Sequence, residues 1–216
     1  MDVFHSARVS LILAFMALPL ILASFTGFLA LALGNLGLFI LFLGQAILIP
    51  FATMLLHIGS AALKMNDTTM IGNDIKQLIP SDPYTSSVNV TPSYWAMHVL
   101  FFLSYLLSNA AAIYKLPVAE GASDWQVANR RSKAVAVIIV VVIAMVALPF
   151  IRYAFTGAET APGLLIAFPV AGLLGYGWYR FASVCGARAS DVFGIIQQIL
   201  PSSTGTAMTC VYTPSA

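Results

Sequence analysis

Not one Asp, Glu, Lys or Arg occurs between residues 9 and 63. Across the whole chain only 8% of residues are charged, 10 Lys and Arg against 8 Asp and Glu, while 60% are hydrophobic. The mean hydropathy is +0.91. Soluble domains carry about 25% charged residues, so this scarcity excludes an ordinary soluble domain. The net charge of +2 is too small for the basic stripe or patch that nucleic-acid binding needs. Cysteine is almost absent as well, and Cys185 and Cys210 make no disulfide framework. His5, His57 and His98 show no metal-ligand spacing such as H-E-x-x-H, and there is no glycine-rich phosphate loop. Asp74, Asp82 and Cys185 are the remaining groups an enzyme could use, and Asp82 beside Pro83 is most simply a turn residue. No catalytic residue, metal or cofactor is expected.

What the chain has instead is long apolar runs. Crossing the hydrocarbon core takes about 20 apolar residues, so the uncharged opening run is long enough for two crossings. Gly34-Asn35-Leu36-Gly37 marks the reversal, because Gly and Asn tolerate the backbone angles of a tight turn. The weakly basic start and a run far longer than a signal-peptide core predict an uncleaved anchor. The sequence therefore predicts an all-α integral membrane protein with about five transmembrane helices, over 9–33, 36–63, 94–114, 134–155 and 163–182. Residues 1–182 form the membrane domain, and 183–216 a carboxyl-terminal amphipathic helix and tail. Pro19, Pro50 and Pro149 fall inside spans, where proline kinks a helix and frees a carbonyl. Two short amphipathic helices are expected at the interface. One holds Ile71, Ile75, Leu78 and Ile79 and stops at Pro80; the other holds Val192, Ile195, Ile196 and Ile199 and stops at Pro201.

Small residues recur at helical spacing in three spans, and in the first Ala23, Gly27, Ala30 and Gly34 put small side chains on one side. Gly163, Ala167, Ala171 and Gly175 stand four apart in the fifth, a ridge that admits another helix backbone. Ser104, Ser108 and Ala112 make a similar face in the third. Packing within the same chain is the simpler use of the ridge; a partner helix is the other. Arg152 closes the fourth span, where its long side chain can snorkel to the headgroups. His98 reads as interfacial, and so does His57 near the end of the second span.

Five spans put the termini on opposite sides. Arg8, Lys64, Lys76 and Arg152 fall on one side; Lys115, Arg130, Arg131, Lys133, Arg180 and Arg188 fall on the other. The positive-inside rule then places the carboxyl terminus in the cytosol. The candidate glycosylation residues Asn66 and Asn89, each in an N-x-[ST] triplet, fall on the opposite side, where modification can occur.

The spans contain no Asp or Glu. Proton relays and ion-coupled carriers generally need such groups facing a cavity or paired, so that class is disfavoured. A small channel could be lined by Ser24, Thr26, Gln45, Thr53, Ser104, Ser108 and Asn109, although these more often make interhelical hydrogen bonds.

At the carboxyl end, Tyr176-Gly177-Trp178-Tyr179, Cys185-Gly186-Ala187-Arg188, Asp191-Val192-Phe193-Gly194-Ile195, Leu200-Pro201 and Cys210-Val211-Tyr212 resemble uncharacterised multi-pass membrane proteins of nucleocytoplasmic large DNA viruses, the algal giant-virus group. The likeness covers roughly the last 45 residues. It implies a protein of the virion's internal membrane, beneath the capsid and touching minor capsid proteins, and carries no catalytic residues with it. The expected function is structural and non-enzymatic. The expected partners are the lipid bilayer and other membrane or capsid proteins in an oligomeric assembly, with no nucleic acid. An accessory subunit of a respiratory or photosynthetic complex is the alternative, and a small channel ranks below it.

Overall fold

The structure is a computed structural model of the chain and describes residues 15–62, 92–116, 124–156, 159–186 and 191–192. The described residues form six α-helices: α1 (Leu18–Leu33), α2 (Leu36–Leu43), α3 (Ile49–Ala62), α4 (Tyr94–Lys115), α5 (Asp124–Ile151) and α6 (Ala161–Val184). A π-helical turn, Gly44–Leu48, joins α2 to α3, and another, Arg152–Thr156, follows α5. The described residues contain no strand. Among the described residues four helices are long and apolar enough to cross a membrane: Leu36–Ser60, Tyr94–Lys115, Val127–Ala154 and Ala161–Val184. α1 is a shorter apolar helix.

The first hairpin turns where the sequence predicts. Gly34 adopts φ 58, the left-handed region that favours glycine, and Asn35 N–H reaches back to Ala30 O at 3.1 Å to close α1. The Asn35 side chain then accepts from Leu38 N–H at 3.0 Å and caps α2. Pro19 lies just past Ala17, where the helix is interrupted between helical residues 15–16 and α1. It sits at the N1/N2 position of α1, where its lack of an N–H removes no helix bond. Pro50 behaves as expected of an interior proline: it lies just beyond the Gly44–Leu48 turn. The wider turn relieves the clash between the ring and the carbonyl four residues back.

α4 and α6 begin with side-chain caps. Ser93 Oγ accepts from Ala96 N–H at 3.0 Å, and Thr160 Oγ1 accepts from Gly163 N–H at 3.2 Å, with Pro162 in the first turn. The expected fourth span starts at 134, but α5 starts at Asp124. Hydropathy rises only after Lys133, the last of the cations Arg130, Arg131 and Lys133. The helix continues outward through polar residues, favoured by Asp124 in its first turn and by a bond from Arg130 Nη2 to Leu116 O at 2.6 Å.

α4 is the central helix. It is 67% buried over its most apolar stretch, against 17% for the Val127–Ala154 helix. α5 and α6 pack most extensively on it, with α3 and α1 contributing less. The ridge of α6 faces α4: Gly163, Ala167, Ala171 and Gly175 are all buried, and Tyr179 and Ala182 extend the line. A Cβ on Gly175 would lie 2.7 Å from Phe101 O and 2.8 Å from Ser104 Cβ, so the missing side chain is what permits this approach. Ser104 Oγ donates to Gly172 O at 2.8 Å across the same seam, and Tyr105 meets Tyr179 edge-on at 5.6 Å. Ser108 bonds within its own helix, to Ser104 O at 2.8 Å, and Ala112 is half-buried against the core. The ridge is thus filled by the chain's own α4.

Asn66, Asn89 and the amphipathic segment around 71–79 lie outside the described residues. So do the second amphipathic segment and the tail, apart from Asp191 and Val192.

Candidate functional site

At one end of the bundle the chain gathers a charged cluster from three helix ends. Ser93 precedes α4, and Trp95 lies in its first turn. Arg152 opens the π-helical turn after α5, and Glu159 stands just before the Thr160 cap of α6. Because α5 leaves the bundle where α4 and α6 enter it, all four side chains reach one point. Arg152 Nε lies 2.6 Å from Glu159 Oε1, with the side chains 1% and 2% exposed. Ser93 Oγ donates to the same carboxylate oxygen. The Arg152 guanidinium also lies over the Trp95 ring, 4.7 Å from its centroid. Trp95 in turn donates Nε1–H to Phe15 O at 2.9 Å and packs on the Phe15 ring at 5.1 Å. The cluster thereby joins the residues before α1 to α4, α5 and α6.

Two sequence expectations are corrected here. Arg152 does not snorkel to the surface. It is buried because Glu159 supplies the counter-charge and Trp95 a face, which together offset the desolvation of the guanidinium. His98 is not interfacial either: it is 1% exposed, and its Nδ1 lies 3.3 Å from Tyr94 Oη. Glu159 provides the acceptor on which Arg152 and Ser93 converge. A usable signal was present, a cation closing one span and an acid opening the next on the same side of the membrane.

The opposite end is held differently. Trp178 Nε1–H donates to Ile40 O at 2.8 Å, linking α6 to α2. Gly44 sits under this contact, since a Cβ there would be 2.6 Å from both Phe101 Cζ and Trp178 Nε1. Asp191 and Val192 are buried against the first hairpin: Asn35 Nδ2 donates to Val192 O at 3.4 Å, and Gly37 backs onto the Asp191 carbonyl.

Chemically the charged cluster is a clamp. One carboxylate oxygen accepts from a guanidinium and a hydroxyl in a buried setting, which suits it to fixing helix ends. Among the described residues no group of three or more His, Cys, Asp or Glu could hold a metal ion. Comparison of the chain with protein-family models, curated proteins and solved structures gives no match. The fold itself defines an all-α integral membrane protein.

Proposed function

We propose that this chain is a structural, non-enzymatic component of a membrane assembly. The observation that carries the reading is the placement of the Arg152–Glu159 pair at the span ends, where it ties α4, α5 and α6 together. A transport site would place such groups along a cavity within the bundle. Two polar groups deeper in the bundle serve the same purpose of closure: Ser104 bonds to the α6 backbone and Trp178 to that of α2. The narrower reading, a protein of a virion's internal membrane in contact with capsid proteins, rests on the resemblance of the carboxyl-terminal residues.

The test is purification of the tagged native protein in gentle detergent, with mass spectrometry of what accompanies it. Capsid proteins in fixed ratio are the expected result. Respiratory or photosynthetic subunits in fixed ratio would replace the virion by an accessory role in such a complex. A homo-oligomer alone that conducts ions in planar bilayers would overturn the structural reading in favour of a channel.

A further inference from the structure

The exposed cations among the described residues lie at the rim opposite the Arg152–Glu159 clamp. α4 ends there at Lys115, and α5 passes through it with Arg130, Arg131 and Lys133. Arg130 turns inward, 4% exposed, and its bond to Leu116 O fixes α5 against the end of α4. Ile113, Ala134 and Leu116 pack beside it. With 3.6 residues per turn, Arg131 and Lys133 fall on the two flanks of that buried line, and both are exposed. The Arg131 guanidinium lies over the Tyr114 ring, 5.9 Å from its centroid. This orients a planar, weakly hydrated cation at the membrane boundary.

The described acids do not neutralise this rim. Asp191 is buried beside Gly37. Asp124 shares the Arg131 side of α5 but stands two turns further out, about 10 Å by helix rise. In the other direction the same side of α5 continues through Val135, Ile138 and Val142, with Val135 and Val142 exposed. A cation held over an aromatic ring at the head of an aliphatic strip matches the two parts of a phospholipid, phosphate above and acyl chain below. We propose that the α4–α5 seam at Tyr114 and Arg131 binds the headgroup phosphate of an anionic phospholipid, with its acyl chain along Val135, Ile138 and Val142. Lys115 and Lys133 strengthen the local positive field.

The test uses the full chain in mild detergent, titrated with dioleoylphosphatidylglycerol or dioleoylphosphatidylcholine, with retained lipid counted by native mass spectrometry. The phosphatidylglycerol adduct should predominate. Arg131→Gln should lower its retention about fivefold, since a cation near the headgroups contributes about 1 kcal/mol. Arg131→Lys, which keeps the charge, should lose less. Arg180→Gln, at the same rim but on α6, should leave retention unchanged. Equal retention of the two lipids by the unsubstituted protein would overturn the proposal, as would an equal loss in Arg180→Gln. Displacement of phosphatidylglycerol by inorganic phosphate at matched concentration would make the seam a free-anion site and overturn the lipid assignment.

Discussion

Arg152 Nε and Glu159 Oε1 meet at 2.6 Å with both side chains almost sealed from solvent. A pair this buried stabilises less than its geometry implies, because desolvation offsets much of the attraction, but removing one partner strands the other. Glu159→Ala should therefore lower unfolding free energy by about 3–5 kcal/mol, read by denaturant titration in detergent micelles. The double variant Arg152→Leu/Glu159→Leu should cost less than either single leucine change. Strict additivity in this cycle would mean that the two residues are not coupled.

Ser93 has two roles in that cluster, capping α4 and donating to Glu159. Loss of a cap costs about 1 kcal/mol, and a hydrogen bond to a charged group contributes about 1.5–3 kcal/mol. Ser93→Ala should thus destabilise by roughly 2–4 kcal/mol in the unsubstituted background. In a Glu159→Ala background only the cap remains to be lost. A similar cost in both backgrounds would remove Ser93 from the clamp.

Two glycines of α6 separated by less than a turn should respond in opposite directions. Gly175 has no room for a methyl group, with backbone of α4 at 2.7 Å from the position of its Cβ, whereas Gly172 meets nothing within 4 Å. Gly175→Ala should cost about 1–3 kcal/mol through overpacking. Gly172→Ala should gain about 0.5–1 kcal/mol from the lower flexibility of alanine. Thermal unfolding of both variants in one detergent checks the pair, and matching shifts would contradict the α4–α6 packing.

Spacing and composition carried most of this architecture. The Gly34-Asn35 reversal, the extents of α4 and α6 and the small-residue ridge were all legible, because each depends on local backbone freedom or on helical periodicity. The start of α5 was not, since hydropathy reports where the membrane begins rather than where the helix does. The clamp was legible only in part. Arg152 stood at a span end, but its meeting with Glu159 depends on the end of α5 and the start of α6 lying at the start of α4, which is a tertiary fact. The burial of His98 was hidden for the same reason: the centrality of α4 follows from how its neighbours pack, and nothing in its own residues announces it.

At the other end of the bundle, Gly37 governs how the carboxyl-terminal segment seats on the first hairpin. A Cβ there would lie 2.8 Å from the carbonyl carbon and oxygen of Asp191, backbone atoms that cannot rotate aside. Gly37→Ala should push residues 191 and 192 off the hairpin and break the 3.4 Å bond from Asn35 to Val192. Hydrogen exchange should then accelerate in the peptide containing 191–192 while α4 and α6 keep their protection. Unchanged exchange there would mean that this contact does not hold the segment.

Gln45 lies within the π-helical turn between α2 and α3 and is fully buried. Neither its Oε1 nor its Nε2 has a hydrogen-bond partner among the described residues. A buried amide without partners costs about 1–3 kcal/mol, and replacing it with an apolar group of similar shape can be neutral or stabilising. Gln45→Leu should therefore keep or raise the melting temperature in detergent. Gln45→Glu should lower it by introducing a charge into the same surroundings. A clear loss in Gln45→Leu would have the opposite meaning: the amide would be hydrogen-bonded inside the membrane, and the turn at Gly44–Leu48 would hold a polar network rather than relieve the strain of Pro50.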